Sequence, residues 1–229
     1  MGTSRHIAAF FALLFTAASA VADGHEGDWV SYRDAYRSMV LFEKYGKAKH
    51  LIQNQYQVMA KDRSAAPDGL QLSLQGTSTH LNLPLDATGR TVFPLLKAAW
   101  DENAALVLNR KAGQYWFRPR ISIVPHADGV YEQADLRAAC EQALAYQQYA
   151  EGMARASRCV GVRFVFARGA ADPGVRTRKA QASLPAVDGA AFQGDAYESF
   201  RVVNVRFDGA DKSPVVTQNA PLAINPVYE

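Results

Sequence analysis

The stretch CEQALAYQQYAEGMARASRCVGVRFVFAR, residues 140–168, holds both cysteines of the 229-residue chain and joins a helical pattern to a strand pattern. Its first part continues an Ala-, Gln- and Leu-rich segment without glycine or proline before Gly152, which predicts a helix over about 132–154. From Cys159 onward, apolar residues alternate as they do in a half-buried strand. One face of the predicted helix carries Leu136, Ala139, Cys140, Ala143, Leu144 and Gln147.

The N-terminus has the parts of a secretory signal peptide. Arg5 precedes the apolar run IAAFFALLFTAA (7–18), and small residues follow as far as Ala22. The run is shorter than the roughly 20 residues that cross a bilayer. We therefore predict a cleaved signal over residues 1–22, with cleavage after Ala20 as the alternative. The mature protein is expected to be soluble, not membrane-spanning, and periplasmic or secreted.

Cys140 and Cys159 are candidates for a zinc site, a catalytic thiol or a disulfide. Zinc sites usually have four ligands with close cysteine pairs, whereas these two cysteines are far apart and have no histidine between them. A thiol nucleophile needs a histidine near it, and none lies close in sequence. An even number of cysteines in an exported chain favours a disulfide. A helix and the strand that follows it are neighbours in space, so this disulfide would join them.

The middle of the chain shows the period-two alternation of half-buried strands. LQLSLQ (70–75) and HLNLPL (80–85) are joined by GTST (76–79), which predicts a hairpin. DATGR (86–90) is a further turn. AALVLNRKAGQYWFRPRISIVP (104–125) has the pattern of a strand, a turn and a second strand. Strands at hairpin spacing favour an antiparallel sheet.

These patterns predict an α+β fold. We expect a mainly antiparallel β-sheet or sandwich, with an N-terminal helix within residues 28–49 and the 132–154 helix packed on it.

The last third of the chain is less regular. GAADPGVRTRKAQASLPAVDGAAFQGD (169–195) is rich in Gly, Ala and Pro and predicts a long loop. The last strong strand pattern is YESFRVVNVRFDG (197–209). We expect a single α+β domain over 23–210 and an extended, proline-containing tail over 211–229.

The predicted mature N-terminus contains a possible metal motif. After cleavage at Ala22 the chain would begin Asp23-Gly24-His25. The free amine, two backbone amides and the His25 ring form a four-nitrogen plane, which suits Cu(II) or Ni(II). Binding of either ion there is interpreted as adventitious, and no cofactor is expected to be required. Cleavage after Ala20 would remove the motif.

Basic residues are concentrated between residues 155 and 179, where seven arginines and lysines stand against Asp172 alone. The chain as a whole has a formal net charge of only +3, so no nucleic-acid partner is expected. Arg176, Arg178 and Lys179 lie on the predicted loop and are candidate anion-binding residues. A solvated charged surface is the alternative interpretation.

Two histidines and two turn aspartates are the candidates for catalysis. The sequence GTSTH (76–80) partly matches the G-x-S-x-G pattern of a nucleophile elbow. A strand follows it, however, where an elbow needs a helix. His80, His126, Asp86 and Asp128 would act together only if their turns meet at one end of the sheet.

Two hypotheses on function follow from these residues. The favoured one is a non-catalytic exported binding domain, whose partner is an anionic envelope component or another exported protein. The alternative is an envelope hydrolase that uses His80 or His126 with a nearby aspartate.

Overall fold

The computed structural model describes residues 27–61, 69–150, 157–170, 172–178, 180, 182–195, 200–207 and 212–229. This part of the chain forms three antiparallel sheets and three helices, which confirms the predicted α+β class.

The helices and strands have the following bounds. The helices are α1 (Tyr32–Lys44), α2 (Lys97–Asp101) and α3 (Gln133–Ala150). The strands are β1 (Asp28–Ser31), β2 (Ile52–Ala60), β3 (Leu72–Gln75), β4 (His80–Leu83), β5 (Arg90–Thr91), β6 (Ala105–Leu108), β7 (Tyr115–Ile123), β8 (Val130–Tyr131), β9 (Cys159–Phe166), β10 (Val175–Thr177), β11 (Val187–Gly189), β12 (Phe200–Arg206), β13 (Val215–Thr217) and β14 (Ala223–Tyr228).

The sheets have seven, four and three strands. The large sheet has the order β11-β12-β9-β14-β7-β2-β5, the four-stranded sheet β1-β6-β3-β4, and the three-stranded sheet β10-β13-β8. Every strand pair in the described residues is antiparallel.

One face of the seven-stranded sheet is apolar, and α3 covers its β9 end. The helix buries Leu136, Ala143 and Tyr146 in the same cluster as Val162 and Phe164 of β9. Each such side chain contributes about 1.5–3 kcal/mol when it is fully removed from water. The strict alternation of β9 therefore determines which face the helix covers.

The β2 end of the same face is covered by α1 and the four-stranded sheet. Tyr32 and Met39 of α1 share a buried cluster with Tyr56 of β2 and Leu74 of β3. The Tyr32 ring stacks on Phe93 with centroids 5.2 Å apart, and its hydroxyl donates to Pro94 O at 2.6 Å. These contacts fix the start of the helix. It begins at Tyr32 rather than earlier because residues 28–31 pair with β6.

The structure confirms the disulfide between Cys140 and Cys159. Cys140 is fully buried on the inner face of α3, Cys159 opens β9, and their Cα atoms lie 6.0 Å apart. The bond fastens the helix to the strand that it covers.

The hairpin at residues 76–79 forms as predicted between β3 and β4. Glu102, which follows α2, binds this turn. Its carboxylate accepts from the Ser78 hydroxyl, from Ser78 N at 3.1 Å and from Thr79 N at 3.3 Å. A Cβ at Gly76 would collide with Glu102 Oε2, so only glycine leaves room for the carboxylate there.

The strand, turn and second strand predicted within residues 104–125 form as β6 and β7, but the two strands do not pair with each other. β6 pairs with β1 and β3, whereas β7 pairs with β2 and β14, so the two strands belong to different sheets. All four residues of β6 are buried. β6 lies inside the four-stranded sheet, between β1 and β3, and both of these partners are distant from it in sequence.

The predicted loop over 169–195 is also wrong in part. Its described residues include β10, which pairs with β13, and β11, which forms an edge of the seven-stranded sheet. Both strands have only three residues, too few for a visible alternation.

The described part of residues 211–229 supplies β13 and β14 where the sequence predicts an extended tail. β14 lies inside the seven-stranded sheet, between β9 and β7. It pairs with β7 only at Ile224. Pro226 therefore has a strand neighbour on the β9 side alone. At this point β14 is an edge strand, and an edge strand tolerates a proline, which has no N–H to donate.

Removing the disulfide should destabilise the fold. We expect Cys140→Ser combined with Cys159→Ser to lower the free energy of unfolding by about 2–4 kcal/mol, measured by urea denaturation. Wild-type protein treated with reductant is the matched control and should show the same loss. Two reactive thiols in the folded, untreated protein would contradict the assignment.

The hydrogen bonds of Glu102 to the 76–79 turn should make the free energy of unfolding decrease at acidic pH. Hydrogen bonds, first of all from the Ser78 hydroxyl, lower the pKa of Glu102 below its ordinary value of 4.5. The ionised carboxylate therefore adds to the free energy of unfolding above the ordinary pKa of 4.5, and this contribution is lost as pH falls through the lower pKa of the folded state. Urea midpoints measured between about pH 6 and pH 3 should fall less steeply in Glu102→Gln than in wild type. Glu141→Gln, on the exposed side of α3, is the control and should keep the wild-type slope.

Candidate functional site

The second face of the seven-stranded sheet is polar where β2 and β7 meet. Gln53, Gln55 and Gln57 alternate along β2, and they pair with Ser122, Arg120 and Arg118 of β7. The alternation places all six side chains on the face opposite α3. Gln57 and Ser122 are nevertheless buried, because other parts of the chain cover them.

Arg90, which begins β5, is a buried cation at this face. Its guanidinium donates to Asp86 Oδ2 at 3.1 Å, to Ser122 Oγ at 3.0 Å and to Leu222 O at 2.6 Å. Burial lowers the pKa of Arg90, and Asp86 opposes that shift. One side chain thus joins the 86–90 turn, β7 and the residue before β14.

The 86–90 turn is held against β2 by close backbone contact. Val58 N donates to Gly89 O at 2.8 Å. Gly89 has φ +75°, and a Cβ there would collide with Val58 O. Glycine is therefore required for this approach.

A segment that we call the strap, residues 190–195, lies across the polar face. Arg163 donates to Ala190 O at 3.1 Å, and Asn225 donates to Ala191 O at 2.6 Å. The Phe192 ring lies under two guanidinium groups, with Arg120 at 4.3 Å and Arg90 at 5.5 Å from its centroid. The strap excludes water from these cations, which strengthens every charge interaction beneath it.

Asp195, at the end of the strap, is shared by two arginines. Its Oδ1 accepts from Arg120 Nη2 at 2.6 Å and from Arg118 Nη2 at 2.8 Å. Only 8 % of the Asp195 side chain is exposed. Burial raises the pKa of Asp195, and Arg120 and Arg118 act in the opposite direction. The carboxylate thus lies between two guanidinium groups in a largely dry environment.

A cavity of about 480 Å³ opens beside this cluster. Most of the residues that line it come from β2, from Leu85 and the 86–90 turn, from the strap, and from Arg168, which follows β9. Arg168 is exposed, and its side chain has no hydrogen-bond or ion-pair partner among the described residues. Arg118 and Arg120 do not line this cavity but bind Asp195, which does. We call Arg118, Arg120, Arg168, Asp195 and this cavity the arginine site.

A second cavity of about 340 Å³ lies where β7 and β14 diverge after Ile224. Arg120, Phe192 and Asn225 are among its lining residues. The strap separates the two cavities, since Ala191 and Asp195 line the first and Phe192 lines the second.

The structure does not gather the predicted anion-binding residues into one site. Arg176 is half-buried on β10, Arg178 is exposed just after that strand, and Lys179 lies outside the described residues. Other basic residues of the segment have separate roles: Arg158 pairs with Glu229 at 3.7 Å, and Arg163 holds the strap. Among the described basic residues of this segment, only Arg168 lines the cavity of the arginine site.

The candidate catalytic residues are dispersed as well. His80 lies on β4, and His126 Nδ1 bonds Val130 O at 2.8 Å while its ring stacks on Tyr131. Asp86 binds Arg90 and the turn, and Asp128 accepts from Val130 N. Within the described residues, neither histidine has a hydrogen bond or ion pair with either aspartate.

The remaining predictions fall outside the described residues. These are the signal segment 1–22 and the Asp23-Gly24-His25 motif. In the described part of the chain, no group of three or more His, Cys, Asp and Glu side chains could hold a metal ion. The same part contains no helix long and apolar enough to cross a membrane.

Sequence analysis missed Arg118, Arg120 and Asp195. The Arg-x-Arg spacing in FRPR (117–120) is a usable signal, because it places two cations on one face of a strand. Asp195 gives no such signal, since it is 75 residues from Arg120 and lies within a segment predicted as a loop.

Removing the cation at residue 90 should destabilise the protein strongly. Arg90→Gln leaves Asp86 and Leu222 O without their buried partner, so we expect a loss of about 3–5 kcal/mol in urea denaturation. Arg90→Lys should recover only part of that loss, because lysine cannot reproduce the planar fork. The control is Lys97→Gln, which breaks an exposed pair with Asp101 and should cost less than about 1 kcal/mol. Equal losses from Arg90→Gln and Lys97→Gln would show that the Arg90 network adds no stability.

Comparisons with protein-family models, with curated proteins and with solved structures find no match, so no residue role is transferred from another protein.

Proposed function

We propose that this protein is an exported, non-catalytic binding domain that takes a small organic anion at the arginine site. The observation that carries the proposal is the charge balance there. Arg118 and Arg120 share the single carboxylate of Asp195. Asp195 lines the cavity, and so does Arg168, which has no partner among the described residues.

A second arginine–carboxylate pair borders the site. Asp86 lines the cavity and pairs with Arg90, so these two residues neutralise each other. Arg118, Arg120 and Arg168 thus outnumber the carboxylate of Asp195, although only Arg168 of the three lines the cavity itself. Attraction between charges is several-fold stronger in a partly buried cavity than in bulk water, which favours binding of an anion.

The rest of the cavity suits an apolar body attached to that anion. Its volume lies within the roughly 300–1,000 Å³ typical of small-molecule sites. The apolar lining residues are Val58, Met59, Ala60, Leu70, Leu85, Ala87, Ala191 and Phe200.

The chemistry of the lining supports binding rather than catalysis. Among the described residues, the cavity wall contains no histidine, cysteine or lysine, which often act as nucleophile or general base. Its two carboxylates, Asp86 and Asp195, are paired with arginines. The Thr88 hydroxyl donates to Asp86 and is thereby held in the turn.

Export is supported by two separate features. The N-terminal sequence has the pattern of a signal peptide, and the Cys140–Cys159 disulfide is of the kind that persists in oxidising compartments. An anionic component of the cell envelope is therefore the proposed source of the ligand.

Binding of octanoate, an anion with an apolar chain, tests this proposal by isothermal titration calorimetry. Wild type should bind octanoate, should bind the neutral analogue octanamide far more weakly, and should lose affinity as salt screens the charges. Arg168→Gln should weaken octanoate binding by about three- to tenfold.

Arg178→Gln is the matched control, because it removes an exposed arginine that does not line the cavity. This variant should bind octanoate as wild type does. Absence of octanoate binding, or equal binding of octanoate and octanamide, would refute the proposal. A larger loss in Arg178→Gln than in Arg168→Gln would instead place the anion at the basic segment near β10.

A further inference from the structure

The hydrogen bonds around Asp195 leave donor capacity unused at the arginine site. Both guanidinium groups donate to the same oxygen, Oδ1, and Oδ2 accepts no hydrogen bond from the described residues. The Nε of Arg118 is buried and has no partner. Arg118 therefore uses one nitrogen of a fork that can hold both oxygens of a carboxylate.

A free carboxylate can satisfy this fork better than Asp195 does. A bidentate pair places two parallel N–H···O bonds from Nε and Nη2 on the two carboxylate oxygens. Asp195 is restrained by the backbone of the strap and engages Arg118 through Nη2 alone. A ligand carboxylate carries no such restraint and gains a further charge-assisted hydrogen bond.

The strap is attached to the sheet through individual side chains rather than through a strand ladder. Its backbone follows the edge strand β11 and ends before Phe200, where β12 begins. Within residues 190–195, Arg163 and Asn225 donate to backbone carbonyls, Gln193 exchanges two long hydrogen bonds with Tyr228, and Asp195 binds Arg118 and Arg120. Ala191 and Phe192 are buried in a small apolar cluster with side chains of the sheet. Ala190, Ala191 and Gly194 bury little side-chain surface. Removing the strap would join the two cavities that it separates.

We propose that Asp195 is an internal ligand of the arginine site, and that a carboxylate ligand binds Arg118 and Arg120 by displacing Asp195 and lifting the strap. This inference rests on the proposed function and adds the ligand class, a carboxylate with an apolar body. The strap then acts as an autoinhibitory segment. The apparent affinity of the site is reduced by the fraction of molecules in which Asp195 occupies it.

Asp195→Asn tests the competition directly, since asparagine keeps the shape of the side chain and removes its charge. The variant should bind octanoate at least about tenfold more tightly than wild type, because the internal competitor is weakened. Adding Arg118→Gln to Asp195→Asn should abolish that gain.

Asp188→Asn is the matched control. It makes the same substitution on β11, breaks an Arg–Asp pair at 2.9 Å with Arg201, and lies outside both cavities. Its affinity for octanoate should equal that of wild type. If Asp188→Asn gains as much as Asp195→Asn, general loosening of the strap explains the effect and the internal-ligand model fails.

Hydrogen–deuterium exchange in wild type gives a test that does not depend on a variant folding. Peptides that cover residues 190–195 should exchange faster when octanoate saturates the protein, while peptides from α3 should not change. Unchanged or slower exchange in the strap would overturn the displacement.

The two proposals fail in different ways. If wild type binds octanoate but Asp195→Asn binds it equally or more weakly, the internal-ligand inference is wrong and the proposed function stands. If neither protein binds octanoate, the proposed function itself is wrong and the inference falls with it.

Discussion

Buried guanidinium groups on one face of the seven-stranded sheet constrain the arrangement of the chain around them. A buried cation without a partner costs several kcal/mol, so every segment near Arg90 and Arg120 has to supply acceptors. Arg90 takes them from Asp86, Ser122 and Leu222. Arg120 takes them from Gln57 and Asp195, the second of which belongs to the strap. The polar contacts of the two side chains therefore bring five separate segments together.

The two faces of this sheet perform different tasks. The apolar face is closed by α3, α1 and the four-stranded sheet, and the disulfide fastens α3 to β9 on that side. The polar face is covered by the six-residue strap, whose buried apolar side chains are Ala190, Ala191 and Phe192. Segments with few buried apolar contacts open at low free-energy cost, whereas packed cores open only with global unfolding. The architecture thus combines a fixed scaffold with a light cover over the charged residues.

Phe192 shows how the cover and the charges depend on each other. The guanidinium groups of Arg90 and Arg120 both contact its ring, an arrangement that stabilises cations most when water is excluded. The ring provides that exclusion while it remains in place. Displacement of the strap would therefore expose both arginines together and change the site from a closed to an open state.

The sequence by itself determined those features that depend on local periodicity. The alternation of Val162, Phe164 and Phe166, together with the helical stripe that includes Cys140, predicted α3, β9 and the disulfide. The turns at 76–79 and 86–90 followed from residue types that favour tight backbone geometry.

Only the tertiary structure decided which strands are neighbours and which charges meet. The pattern over 104–125 predicts both β6 and β7, but pairing depends on which faces are buried, and these strands bury theirs in different sheets. The prolines within residues 211–229 favour an extended tail, yet β14 lies inside the large sheet. The sheet accommodates Pro226 because β14 has already diverged from β7 at that residue. The pairing of Asp195 with Arg118 and Arg120 joins residues about 75 positions apart. No local pattern specifies such a contact, because it arises only when the strap crosses the polar face of the assembled sheet.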